Sequence, residues 1–521
     1  MPKNFSKDLA QDLKKGKIYS RRFLEKQKMF YAKKHGLNYL PKNTDVFVEG
    51  KIKHSFLQVK PVRSKSGVVV IAVMVPPHDC PGECIFCPSG INVITPKSYT
   101  GTEPATQRAL KHNFNPFKQV SERLHQFEIT GHKTDKIELI VMGGTFPSMP
   151  FNQQKLFVKQ SLEAITGKKT LLLENAKLDA EKSKNRVIGI TFETRPDYCK
   201  IEQINQFLEM GGTRVELGVQ QVNDHLYKKL KRNHSVLDVV NATSLLKDSA
   251  FKVLYHVMPG LPFTSEQEDL KHFKELFSNP DFKPDMLKLY PCLLVKNSKL
   301  MSLYESGEFK PLDDVKAVRL LAKMKSLIPN YVRVMRVQRD ISLKNVVAGV
   351  SKSNLREIVQ NYMKNHSLEC SCIRCREVGL QESEQQYSLE KLKLKTFTES
   401  YNASNGTEFF ISIESNDRKN LLGFVRLRIP FKPFRKEITE NTALIRELHV
   451  YGAVAGLGEK DSNLTQHKGF GRQLMAKAEE IALKEFNKKK MVVISGLGVK
   501  EYYFKLGYKK DGAFVSKTLT E

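Results

Sequence analysis

The sequence predicts an α/β protein: an incomplete (β/α)6 barrel, a separate smaller α/β domain after it, and a basic helical region before it. Three observations carry this. Short β-rich runs recur at 67–75, 137–142, 187–191, 214–218, 252–257 and 286–290, with helical stretches such as 203–210 and 235–246 between them. Chemistry-bearing residues follow the ends of those runs, where an α/β barrel keeps its chemistry. From about residue 390 the pattern changes to antiparallel alternation at 408–414 and 421–429. A strand at 443–451, a long loop, a helix from Gly471, a strand at 491–495 and a last helix follow.

The chain has 521 residues, about three units at roughly 150 residues each. The expected partition is 1–61, a basic region; 62–330, the barrel; 331–389, a cysteine-bearing linker; and 390–521, the second domain. A hydrophobic share of 40% excludes a wholly disordered chain. The longest apolar stretch, 68–75, is far short of the roughly 18–20 residues that span a bilayer. No apolar segment follows the Lys-rich start, so a cytoplasmic protein with no membrane partner is expected.

The formal charge is +29, which suits a polyanionic partner. Residues 1–65 hold 17 Lys/Arg against 5 Asp/Glu. Lys14, Lys15, Lys17, Arg21, Arg22, Lys26, Lys28, Lys33 and Lys34 alternate there with Phe23, Phe30, Tyr31 and Tyr39. Cations neutralise phosphates and rings stack on bases, so this region reads as an RNA-binding arm. A solvated helical arm with a few core aromatics is the plainer alternative.

Eight cysteines are too few and too clustered for a disulfide scaffold. Cys80, Cys84 and Cys87 form C-x3-C-x2-C directly after the first strand. Three thiolates on a four-iron cube leave one iron open, where the amino and carboxylate groups of S-adenosylmethionine can bind. Zinc held by the three cysteines and His78 is the alternative. Gly143 and Gly144, after the second strand, let backbone approach a ligand's polar end. Cys370, Cys372 and Cys375 pack C-x-C-x2-C, a density that suits zinc; Cys292 or His366 is the candidate fourth ligand.

In the C-terminal domain, Gln466-His467-Lys468-Gly469-Phe470-Gly471 opens a helix whose Leu474, Met475, Ala478, Ile481 and Ala482 share one face. Free N–H groups at such a turn suit a pyrophosphate. The preceding strand, Ile445 to Tyr451, offers backbone groups to a pantetheine arm, and Tyr503 follows the last strand. This order resembles the GCN5-related acetyltransferase fold.

Longer motifs extend the resemblance. The first cysteine cluster, Ser98 to Pro104, Met142-Gly143-Gly144-Thr145-Phe146, Glu193 to Cys199, Glu216 to Gln220, Tyr255 to Pro262 and Arg336 to Asp340 together resemble the Elongator catalytic subunit family. The resemblance runs from about residue 62 to the C-terminus. It implies a radical S-adenosylmethionine barrel with a 4Fe-4S cluster on Cys80, Cys84 and Cys87, and a structural zinc. It implies acetyl-CoA as co-substrate, contacting Lys136, Glu447, Leu448, His449, Val450, Phe470, Gly471, Arg472 and Tyr503. Lys136 and Tyr503 are the expected catalytic side chains. The implied reaction forms 5-carboxymethyluridine at the wobble position of tRNA, with an external electron donor for the cluster. The rival is a protein lysine acetyltransferase with a structural iron–sulfur domain. Lys231-Arg232-Asn233-His234-Ser235 departs from the family's Arg-Gly-His-Thr stretch. The short Cys80–Cys84 spacing is that of compact members, so a protein acting alone or as a homodimer is expected, rather than one bound into an Elongator assembly.

Overall fold

The computed structural model describes residues 3–60, 67–88, 94–381, 393–451 and 469–520. Strands β1 (Val69–Met74), β2 (Lys136–Met142), β3 (Arg186–Thr194), β4 (Arg214–Gln220), β5 (Lys252–Val257), β6 (Met286–Leu289) and β7 (Arg333–Arg336) form one parallel sheet in sequence order. It is a curled, open barrel wall with helices packed outside. The seventh strand departs from the six-unit expectation and lies beyond residue 330. Its four residues carry two arginines, so no apolar run marked it.

Alternation along the strands is inverted relative to a filled barrel. Ile137, Leu139 and Val141 are buried against the helices, while Lys136, Glu138, Ile140 and Met142 face the lumen half-buried. The lumen therefore holds polar side chains and space instead of the stacked aliphatic layers of a closed barrel. Capping boxes at Ser235/Asp238 and Ser265/Glu268 start two of the outer helices, each serine accepting from the N–H of its acidic partner.

The second sheet contains β8 (Leu394–Ala403), β9 (Gly406–Ser415), β10 (Leu421–Ile429), β11 (Thr442–Val450), β12 (Lys490–Val493), β13 (Lys509–Asp511) and β14 (Phe514–Thr518), in the order β8-β9-β10-β11-β12-β14-β13. All pairs are antiparallel except β11–β12. Strands β8, β13 and β14 went unread in the sequence. β8 carries polar residues at most positions and β13 is three residues long.

This sheet docks on the basal, N-terminal rim of the barrel. Arg446 on β11 donates to Asp285, before β6, at 2.6 and 2.7 Å. Arg428 donates to Asp248 Oδ1 at 2.8 Å and to Glu408 at 3.0 Å. Gly496 lies so close to the Ile188 carbonyl that a Cβ would overlap it.

Residues Lys3–Lys14, Arg21–Lys34 and Asn43–Glu49 form three helices around a small core of Phe5, Leu9, Leu13, Leu24 and Val46. The domain boundaries expected at 61/62 and 389/390 lie outside the described residues. No helix among the described residues is long and apolar enough to cross a membrane.

Candidate active site

A cavity of about 420 Å³ occupies the barrel lumen. Cys80, Cys84 and Cys87 line its upper end with Gly144 and Thr145; Glu138, Arg214 and Arg374 line it farther on. The loop geometry explains the glycines. Gly143 (φ 128°) and Gly144 (φ 77°) adopt backbone that favours glycine, and a Cβ on Gly143 would stand 2.6 Å from Val75 Cγ2. Gly144 therefore meets the cavity, and Gly143 only lets the turn close.

The two cysteine triads differ in spread. The sulfurs of Cys370, Cys372 and Cys375 all lie within 4.8 Å of one another, whereas Cys80, Cys84 and Cys87 do not gather that tightly. One zinc ion with bonds of about 2.3 Å confines its sulfurs to about 4.6 Å. The thiolates of a cube each bind a different iron and stand farther apart. The open triad suits a cluster, and the tight triad suits a single ion. Both ring nitrogens of His78 lie against carbonyls, Pro76 O at 3.0 Å and Thr145 O at 3.1 Å. That disfavours the alternative of zinc on three cysteines and His78.

Donors surround the open triad. Arg232 Nη1 lies 3.2 Å from Cys84 Sγ, and the Ser98 N–H lies 3.2 Å from Cys87 Sγ. Burial pushes the Cys87 thiol up. Arg195, fixed by Asp197 at 2.9 and 3.0 Å, lies where a Cβ on Gly82 would be. Neither residue expected as a fourth ligand joins the tight triad. Cys292 is buried in a separate apolar cluster with Ile85, Phe86 and Leu294. His366 stacks on Tyr362, its Nδ1 2.9 Å from the Tyr362 carbonyl.

Inside the lumen, Lys288 Nζ pairs with Glu193 (3.2 Å) and with Glu216; Glu216 also meets His256 Nε2 at 2.8 Å. Tyr99 donates to Glu193 at 3.0 Å. Burial alone would raise Glu216, but Lys288, His256 and Arg214 hold it well below the usual carboxylate range. Burial opposes the charge on Lys288 as well, yet Glu216, Tyr290 and Glu193 raise it. Sequence reading singled out the Glu193 and Glu216 motifs but not Lys288, which is one lysine among many.

The second site is a splay in the other sheet. β11 and β12 pair from Thr442↔Lys490 to Ile445↔Val493 and then part. Glu447, Leu448, His449 and Val450 stay paired with β10 on one side only, leaving backbone groups of the other edge facing the gap. Gly469 (φ 78°) caps the helix Phe470–Lys484, whose Gly471 approaches Tyr502 Oη and Val450. Gln466, His467 and Lys468 lie outside the described residues. Arg426 Nε donates to Glu447 at 3.0 Å. Burial lowers His449 to about 4, and its ring stacks on Tyr451 at 4.2 Å. Burial raises the Tyr503 phenol, and Tyr502 and Glu447 add to this. Tyr502, which sequence reading passed over, is the phenol nearest the helix turn; Arg472 acts on it electrostatically. Lys136 lies beside Arg186 in register, and Arg186 packs against Gly498 of the loop after β12. Burial lowers the Lys136 ammonium.

Comparison with known proteins fits this geometry. Residues 74–276 match the Radical SAM superfamily and 284–365 the Radical_SAM C-terminal domain. A protein of Methanocaldococcus infernus named tRNA uridine(34) acetyltransferase is 46% identical over 98% of both chains. Elongator complex protein 3 of Homo sapiens is 39% identical over 95% of this chain and 93% of its own. The chain belongs to the Elongator complex protein 3 family. A solved structure of the archaeal Methanocaldococcus infernus Elp3 with an N-terminal deletion superposes with a TM-score of 0.77 at 45% identity, covering 87% of this chain and 100% of that one. A radical SAM barrel of this family implies a 4Fe-4S cluster and S-adenosylmethionine, and the open triad beside the luminal cavity fits both.

Proposed function

We propose that this protein modifies the wobble uridine of tRNA, joining a carboxymethyl group derived from acetyl-CoA to carbon 5. What supports the reading most is one arrangement: an open cysteine triad above a polar lumen, with an acetyltransferase splay docked beneath the same barrel. The cluster and S-adenosylmethionine, when bound, supply hydrogen abstraction from an unactivated C–H bond, chemistry that polar side chains do not perform. Cys80, Cys84 and Cys87 hold the cluster, and Gly144 and Thr145 leave room for the cofactor's polar end. The basic N-terminal helices and the barrel mouth position the anticodon loop by its phosphates, and the wobble base enters the lumen.

Acetyl-CoA lies in the splay. Its pyrophosphate meets the N–H groups at Phe470, Gly471 and Arg472, its arm follows Glu447–Val450, and its thioester lies near Tyr503 and Lys136. A zinc on Cys370, Cys372 and Cys375 braces the linker. The protein acts in the cytoplasm with an external electron donor, alone or as a homodimer.

The test is anaerobic incubation of reconstituted protein with tRNA, S-adenosylmethionine, acetyl-CoA and a reductant, followed by mass spectrometry of the nucleosides. 5-Carboxymethyluridine is the expected product. Its absence, with iron and tRNA both bound, overturns the reading. Lysine acetylation that survives Cys80→Ala would favour the protein acetyltransferase instead.

A further inference from the structure

One buried cation beside the open triad has no carboxylate to balance it. Arg232 is 5% exposed and lines the luminal cavity together with Cys80, Cys84 and Cys87. Its Nη2 donates to the Gly218 carbonyl, near the end of β4, and its Nη1 lies 3.2 Å from Cys84 Sγ. Among the described residues no carboxylate forms an ion pair with it. A buried charge is costly unless an opposite charge meets it. Arg195 differs, because Asp197 pairs with it at 2.9 and 3.0 Å. Arg339 differs too: it donates to the Ser98 carbonyl from a half-buried position.

The fold holds Arg232 at this place. The Arg232 N–H donates to the Tyr227 carbonyl at 3.0 Å, and the Ile85 N–H to the Leu230 carbonyl at 3.2 Å. Lys231 (φ 53°) and Asn233 (φ 56°) turn the chain on either side of it, and Asn233 Nδ2 donates to the Pro81 carbonyl at 3.4 Å. The guanidinium also lies over the Phe86 ring, 5.7 Å from its centroid. The loop carrying Arg232 is thus stitched to the loop carrying the cysteines.

We propose that Arg232 is a positioning residue for the charge of the cluster: acting through the Cys84 sulfur, it raises the cluster's reduction potential. The inference rests on placing the four-iron cluster on the open triad. A cube on three thiolates is anionic, and reduction adds one more negative charge. The guanidinium stays protonated at any working pH, so it favours the reduced state over the oxidised one. Its burial keeps solvent ions from screening that effect. In the step concerned, an external reductant gives up one electron and the cluster takes it; no bond breaks and no proton moves.

The experiment titrates the anaerobically reconstituted full-length protein with a reductant. The midpoint potential is read from visible absorbance, with no tRNA, S-adenosylmethionine or acetyl-CoA present. The absorbance change that Cys80→Ala removes is the one assigned to the open triad. We expect Arg232→Met to make reduction at least about tenfold less favourable, a fall in midpoint of about 59 mV or more for one electron. Arg232→Lys, which keeps the charge but not the fork, should fall less. A wild-type midpoint in Arg232→Met at full iron content overturns the proposal. If Arg232→Met loses its iron, Arg232→Gln is read in its place, and a lowered midpoint there supports the proposal. A wild-type midpoint in Arg232→Gln, or loss of iron in that variant as well, overturns it, because Arg232 then retains the cluster without setting its potential. A wild-type protein whose absorbance is unchanged by Cys80→Ala fails the placement of the cluster instead, which separates the two.

Discussion

Replacing Asp285 by Asn tests how the two domains are held together. Asp285 sits in a buried set of four cations, Lys247, Arg426, Arg428 and Arg446, and four anions, Asp248, Asp285, Glu408 and Glu447. The set is neutral as a whole. Asp285 accepts from Arg446 at 2.6 and 2.7 Å and from the Val253 N–H at 2.8 Å, and it faces Arg426 at 3.7 Å and Lys247 at 3.8 Å. Asn keeps the shape and one acceptor but leaves a surplus positive charge in a fully buried site. Breaking one partner of a buried pair costs about 3–5 kcal/mol, so Asp285→Asn should lose stability on that scale at pH 7. The chain has no Trp, so urea unfolding would be followed by circular dichroism.

The pH dependence has a definite sign. Burial would raise Asp285, but Arg446, Lys247 and Arg426 hold it well below the usual carboxylate range. A depressed carboxylate contributes its stability above the unfolded pKa of about 3.9 and loses it as pH falls through the folded value. The gap between the two proteins should therefore stay full from neutral pH to about pH 4 and close only in stronger acid. Asp285→Leu with Arg446→Met should cost less than the two changes summed. If Asp285→Asn unfolds within about 1 kcal/mol of the wild type at pH 7, the network does not hold the domains as described.

Other changes test separate parts of the molecule. Gly496→Ala should cost about 1–3 kcal/mol, because its Cβ overlaps the Ile188 carbonyl and must push the docked loop off the barrel; thermal melting reads this. Cys80→Ala should abolish the iron content and visible absorption of the reconstituted protein and leave acetyl-CoA affinity unchanged by calorimetry. Cys372→Ser should lower the content of a tightly held metal, read by elemental analysis, and lower the melting temperature. Neutralising Lys14, Lys15, Arg22 and Lys26 should weaken tRNA binding and reduce its log–log salt slope by about 3. Arg21 is left out of that set because its guanidinium donates to the carbonyls of Ser55 and Gln58.

That last distinction shows where sequence reading stops. The N-terminal excess of charge was legible by counting, but a count treats every cation alike. In the fold, Lys28 is buried against Glu25 and Asn43, Lys34 meets Asp8, and Tyr31 donates to Asp12. Of the four rings singled out by sequence, Phe30 and Tyr39 remain exposed at 59% and 52%. Cys292 shows the same limit: proximity to a strand end made it a plausible ligand, and a neighbouring apolar cluster claims it.

Local chemistry was determined by the sequence alone. A six-part βα rhythm, the cysteine spacings, paired glycines after a strand and a glycine turn before a helix all act over a few residues. Their meaning survives without knowing what lies across from them. The spread of each cysteine triad and the pairing of Lys288 with two carboxylates were decided only in three dimensions. Each joins residues far apart in the chain, and coulombic and packing energies depend on separation in space. Nothing in the order of residues marks Arg446 as the clamp between two domains, because its partners lie about 160 and 195 positions away.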